Sequence, residues 1–285
     1  MENILLLTDF SANANSVAEY TYDFAKKIHA DIIICNAMTI PSELPDSGLV
    51  VWPVECHEVI KDRSASKLNK LRTHLQHRDQ SHSKKPVLTL LNQAGSLQDV
   101  VTEIASERTI HFLAMGAHDQ SMDSFLKQDH TRGIIDSSPV PALLIPLTLK
   151  FEPIRNIYFA SDLKDLASDR TFLTRLTALA RMFMSEIFII HISSSKSAAT
   201  VKEKIYDMLN DLRDGLGYPG IHFREIIAEN DTSSLEKIML EKSADMIAVV
   251  HREHSFFSRL FKGSVAKRLA GQLTMPMLIY QESNE

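Results

Sequence analysis

Short unbroken apolar runs alternate with longer amphipathic stretches along the whole chain. Residues 3–8, 31–35, 87–91 and 111–115 are apolar runs of strand length, and another follows Pro141. Between them, residues 11–29 place Val17, Tyr20, Phe24, Ala25 and Ile28 on one helical face, with Ser11 positioned to cap. Residues 57–78 and 97–106 predict two further helices, the second capped by Ser96, and a short helix precedes Ser137. The order then starts again. Strands are predicted at 156–161, 186–191, 221–227, 246–250 and 277–280, with helices near 165–183, 197–214, 234–243 and 263–271. Ser233 to Glu236 has the capping-box pattern that opens the third of these helices. Continuous rather than alternating apolar runs are what strands covered on both faces require. The fold class is therefore α/β. The expectation is two similar open, mostly parallel five-stranded sheets, each Rossmann-like with helices on both faces.

The two halves repeat in sequence as well as in order. Residues 3–10 (NILLLTDF) resemble 156–163 (NIYFASDL), each an apolar run ending in a hydroxyl residue and then Asp. Residues 141–145 (PALLI) resemble 276–280 (PMLIY). A period this long means two whole domains, expected at 1–149 and 150–285. Asn36 then aligns with His191 and Gly116 with Val250, so the first half carries about 20 extra residues, placed in a loop at 39–55. A loop of that length is either functional or a tolerated insertion, and both readings stay open. The final strands, 142–146 and 277–280, are the candidates to join the halves edge to edge as a pseudo-symmetric pair.

Composition narrows the class. The 44% hydrophobic and 24% charged residues are those of a globular protein, and no apolar run reaches membrane-spanning length. The first residues lack a basic start and read as a strand rather than a signal peptide. Two cysteines, Cys35 and Cys56, are too few for a disulfide framework, and Cys35 sits in an apolar run as a buried thiol would. A cytoplasmic setting follows. Lys and Arg number 13 against 18 Asp and Glu in residues 1–149, and 18 against 18 in 150–285. Neither half is basic enough for nucleic acid to be the expected main partner, and no membrane partner is expected.

Ligands of open parallel sheets bind beyond the carboxyl ends of the strands. Asp9 and Asp162 stand there, able to accept hydrogen bonds from a ligand amine or to cap the next helix. Gly263-Ser264 opens a helix after the fourth strand of the second half. Free N–H groups, a hydroxyl and the helix dipole make that an anion site, with Arg259 and Lys262 adding charge. His74-x-x-His77 and His251-x-x-His254 have spacings that could share a metal, as could His191 with His251. Without a third ligand fixed in sequence no metal is expected. Phosphate-loop, dinucleotide and nucleophile-elbow motifs are absent.

Taken together, the segments 5–11 (LLLTDFS), 114–118 (AMGAH) and 256–266 (FFSRLFKGSVA), with the closing strands, resemble the universal stress protein family in its tandem two-domain form. The resemblance covers nearly the whole chain. It implies the universal stress protein fold and a non-catalytic stress-response role. ATP-binding members of the family set adenine against the Asp after the first strand. They hold ribose and phosphates with a loop of form G-x-x-G-x9-G-[ST]. In the second half this loop becomes Val250-x-x-Glu253-x9-Gly263-Ser264, and in the first Gly116-x-x-Asp119-x9-Asp129-His130. The implied nucleotide-binding residues are Asp162, Gly263 and Ser264, with Asp9 and Gly116 as the remnant in the other half. The implied cofactor is ATP or another adenine nucleotide, in at most one domain. The alternative is a nucleotide-independent scaffold for an unidentified protein partner. A further homodimer is open on either reading.

Overall fold

The computed structural model describes residues 2–38, 54–117, 128–161, 163–193, 199–227, 243–252 and 273–282. In chain order the first half runs β1 (Asn3–Leu7), α1 (Ala14–Ile28), β2 (Asp31–Met38), α2 (Val54–Arg78), β3 (Leu88–Ala94), α3 (Leu97–Glu107), β4 (Ile110–Ala117), α4 (Gln128–Ser137) and β5 (Ala142–Pro146). The second runs β6 (Asn156–Ala160), α5 (Leu166–Phe183), β7 (Glu186–Ser193), α6 (Ala199–Leu216), β8 (Ile221–Ile227), β9 (Met246–His251) and β10 (Met277–Gln281). The helices expected near 234–243 and 263–271, with the capping box at Ser233, lie outside the described residues, as does the loop up to residue 53.

The five-stranded sets join into one ten-stranded sheet, ordered β3-β2-β1-β4-β5-β10-β9-β6-β7-β8. Read from either end, each half has the same strand order. Every pairing is parallel except β5 with β10, where Leu144 faces Met277, Leu143 faces Leu278 and Ala142 faces Ile279. The edge-to-edge meeting of the final strands expected from the sequence is thus present. It removes two sheet edges that would otherwise stand open.

Apolar side chains from both strand faces make two layers of core. One holds Ile4, Leu6, Phe24, Ile32 and Ile34 under α1, continuing through Phe159, Leu173 and Ile189 under α5. The other holds Leu5, Leu7, Ile33, Leu113 and Met115, continuing through Val249 and Ile279. Each fully buried Leu or Ile contributes about 1.5–3 kcal/mol relative to exposure. Where the halves meet, Phe24 and Phe183 lie 5.3 Å apart between ring centres, and Tyr20 packs edge-on to Phe151 at 5.3 Å. Such pairs add about 0.5–1.5 kcal/mol each beyond burial.

The helix ends show what is local. Ser96 caps α3 as expected, its Oγ accepting from the Asp99 N–H at 3.2 Å. Asp165 caps α5 by accepting from the Ser168 N–H at 3.0 Å. The expected cap at Ser11 does not form. The Ser11 N–H donates to Asp9 Oδ1, and α1 begins only at Ala14, after Asn13, with no side-chain cap. The turn made by Asp9 takes up the residues that would have been the first helical turn. Both α1 and α5 end on a left-handed residue, His29 and Met184, each with φ of 59°. Cys35 is a buried free thiol, and burial pushes its pKa up to about 12.

Candidate functional site

The strand order reverses around β1 and β4, and again around β6 and β9. The carboxyl ends of these strands are where an open parallel sheet offers a crevice. Each crevice begins with the same turn. In the first half, the Phe10 N–H donates to Thr8 Oγ1 at 3.3 Å and Phe10 has φ of 57°. In the second, the Leu163 N–H donates to Ser161 Oγ at 2.9 Å and Leu163 has φ of 56°. A left-handed conformation costs a non-glycine residue about 1–2 kcal/mol. The hydroxyl acceptor two residues back helps hold it there. The end of the second strand then closes onto the first in both halves. Asn36 Nδ2 donates to the Thr8 carbonyl at 2.7 Å, and His191 Nδ1 lies 3.2 Å from the Ser161 carbonyl. That contact assigns the His191 proton to Nδ1.

Beyond this frame the two crevices differ. The first is lined by neutral amides and a hydroxyl. Ser64 of α2 lies 2.8 Å from Asn36 Oδ1 and 2.9 Å from Asn92 Oδ1, sharing its one proton between them, and Asn92 Nδ2 donates to the Lys61 carbonyl at 2.9 Å. Phe10 sits beneath Lys67 Nζ, 5.1 Å from the ring centre.

The second is charged. The Ser161 hydroxyl donates to Asp169 Oδ2. Arg252, just past β9, donates from Nη2 to Asp169 Oδ1 at 2.8 Å and from Nε to Glu282 Oε1 at 2.9 Å. Ser168 Oγ donates to the same Glu282 oxygen at 2.7 Å. Asp169 is 1% exposed and Arg252 13%, so this is an ion-pair network largely withdrawn from water. Nearby, His251 Nε2 meets Asp136 Oδ1 of α4 at 2.8 Å, and Gln281 Nε2 donates to the Ile135 carbonyl at 3.2 Å. Both contacts tie the second crevice to the first half.

Of the residues expected to bind nucleotide, two are described. Asp9 lies on the turn after β1, and Gly116 lies inside β4 opposite Ile145. Asp162, Gly263 and Ser264 lie outside the described residues, as do Asp119, Glu253 and His254. Asp129 and His130 fall within α4. The sequence reading missed Asn36, Ser64, Asn92, Asp169 and Glu282 as crevice residues, and gave Arg252 no role. The one local signal was the hydroxyl residue preceding each Asp. His74 and His77 share one face of α2, His74 meeting Glu19 at 2.7 Å, while His191 and His251 meet different partners. Among the described residues no group of three His, Cys, Asp or Glu is placed to hold a metal, and no helix is long and apolar enough to cross a membrane.

A model of the universal stress protein family matches residues 1–146. No curated protein matches the chain in sequence. Among solved structures, a universal stress protein from Archaeoglobus fulgidus DSM 4304 is 19% identical, with a TM-score of 0.64 over 99% of this chain and 97% of that one. The cytoplasmic domain of a prokaryotic cation chloride cotransporter is 11% identical, with a TM-score of 0.55 over 97% of this chain and 94% of that one. At these identities the likeness establishes the fold.

Proposed function

This chain belongs to the universal stress protein family, and within it we propose a non-catalytic, cytoplasmic stress-response protein that takes an adenine nucleotide in at most one of its two crevices. The reading treats residues 1–149 and 150–285 as two copies of one unit. It is supported by the strand order and by the turns at Phe10 and Leu163, which recur at matching places. In the first crevice Asp9 and Gly116 would meet the adenine and ribose, beside the neutral Asn36 and Ser64. In the second, Asp162 would meet the adenine, with Gly263 and Ser264 at the phosphates.

The observation that carries the limit to one site is the state of Arg252. Its guanidinium is held between two carboxylates, Asp169 and Glu282. These three described groups sum to one negative charge, which opposes an approaching triphosphate. The same observation favours the second reading, a scaffold with no nucleotide that meets a protein partner, since the network satisfies its polar groups without a ligand.

Native mass spectrometry of the gently purified protein, titrated with ATP, ADP and AMP, tests both. One bound equivalent is expected, lost in Asp9→Ala if it sits in the first crevice and in Asp162→Ala if in the second. Two equivalents would overturn the proposal. No binding at millimolar nucleotide would leave the scaffold.

A further inference from the structure

The modest net charge conceals an uneven distribution. Residues 61–85 hold eight Lys or Arg against two Asp, a net +6, in a chain of net −5, so everything else sums to −11. This segment is most of α2 and the turn after it. Along α2, Arg63, Lys67, Lys70, His74 and His77 recur at spacings of four and three. At about 100° per residue they share an arc of about 80° and form a stripe about 21 Å long. All five are exposed, while Ser64, Leu68, Leu71 and Leu75 turn inward and are buried. Ser66, Asn69 and Thr73 border the stripe along a shallow groove of about 700 Å³. Lys67 lies over the Phe10 ring and His74 meets Glu19. Arg63 and Lys70 make no ion pair among the described residues.

We propose that this face of α2 binds the phosphate backbone of a nucleic acid, without reading its sequence. Lys and Arg flanked by Ser, Thr and Asn are the side chains that contact phosphate and sugar. From Arg63 to His77 the stripe has no aromatic or large apolar residue at its centre to anchor a protein partner, whose interface needs a desolvated centre. Val59 and Ile60 are exposed one turn before Arg63, but two residues do not make the continuous apolar face that an interfacial helix requires. Charge averaged over residues 1–149 is negative and hides the feature. The surface lies on the outside of α2, and Lys67, over the Phe10 ring, is where it borders the first crevice.

Fluorescence anisotropy of the full chain with a labelled 16-base-pair duplex of mixed sequence tests this. Binding in the micromolar range is expected at 50 mM salt. With three phosphates neutralised by Arg63, Lys67 and Lys70, affinity should fall about 40-fold between 50 and 200 mM salt. The double variant Arg63→Gln, Lys70→Gln should weaken binding at least about tenfold and flatten the salt dependence. Arg108→Gln, an exposed cation elsewhere, should change neither. No binding at 50 mM salt overturns the proposal, as does binding that the double variant leaves intact. Tighter binding to polyglutamate or to vesicles rich in anionic lipid also overturns it, in favour of an acidic protein or a membrane.

Discussion

The two crevices share a backbone and differ in chemistry. Both open with a hydroxyl that holds a left-handed residue, at Phe10 and at Leu163, and both close with a side chain from the second strand bonded back to the first. Around that common frame the first crevice holds an amide and hydroxyl cluster of Asn36, Ser64 and Asn92, while the second buries a guanidinium between two carboxylates. A turn of this kind needs a hydroxyl and a short chain path, and those are set locally. The polar lining is free to change as long as each buried group finds a partner. The difference between the crevices therefore lies in the lining.

The contrast is broken most forcefully at Arg252. Replacing it with Ala takes the guanidinium from two carboxylates, one of them buried, and should cost about 3 kcal/mol in a denaturant titration. A loss below about 1 kcal/mol would mean that the network acts as an ordinary surface pair.

The helix braces behind the crevices sharpen the same comparison. In the first half Asp79 receives Lys26 Nζ at 2.9 Å, the Tyr22 hydroxyl at 3.1 Å and the Ser81 N–H at 3.0 Å. Its burial opposes ionisation, but these donors outweigh it and hold the carboxyl well below its usual range. Asp79→Asn should cost about 1.5–3 kcal/mol at neutral pH. Because the folded pKa is lowered, this stabilisation is complete above the ordinary carboxylate range and is lost as pH falls through the lowered value. The difference between wild type and variant in thermal midpoint should therefore shrink on acidification. In the second half Arg181 stands where Lys26 does and donates instead to the Leu216 and Gly217 carbonyls, while the ion pair between α5 and α6, Arg170 with Asp211 at 3.5 Å, joins side chains 54% and 64% exposed. Asp211→Asn should change stability by less than about 0.5 kcal/mol.

Removing the amide from the first crevice should have an intermediate effect. Asn36→Ala leaves the Thr8 carbonyl without its side-chain donor, at a cost of about 1–2 kcal/mol by chemical unfolding. Opposite in sign are the helix ends the halves share. His29→Gly and Met184→Gly should each stabilise by about 1 kcal/mol, since glycine occupies the left-handed region freely. Met184 is 82% exposed and gives up almost no packing. A clear difference between the two gains in thermal melts would show that the halves do not share this backbone device.

Most of the fold was legible in the chain. Unbroken apolar runs marked most of the ten described strands, though not β8 with its His222, Arg224 and Glu225, and the likeness of 141–145 to 276–280 pointed to the pairing of β5 with β10. The candidate site was legible only where its signal was local, as with Thr8 and Ser161 before their Asp residues. Ser11 was misjudged because a helix start and an Asp-led turn compete for the same residues, and the turn prevailed. The basic stripe on α2 was present in the spacing of Arg63, Lys67 and Lys70, but disappears when charge is averaged over half the chain.

What the sequence determined by itself was periodicity: which residues are strand, which are helix, and that the order occurs twice. Burial of apolar runs and capping by nearby hydroxyls act over a few residues, so they can be read without the fold. The tertiary structure decided which charges meet. Asp169 and Arg252 stand 83 residues apart, and Arg252 and Glu282 stand 30 apart. Nothing in the local sequence pairs them. Only the sheet brings the ends of β6, β9 and β10 to one place, and there a buried charge must find a partner or not ionise at all.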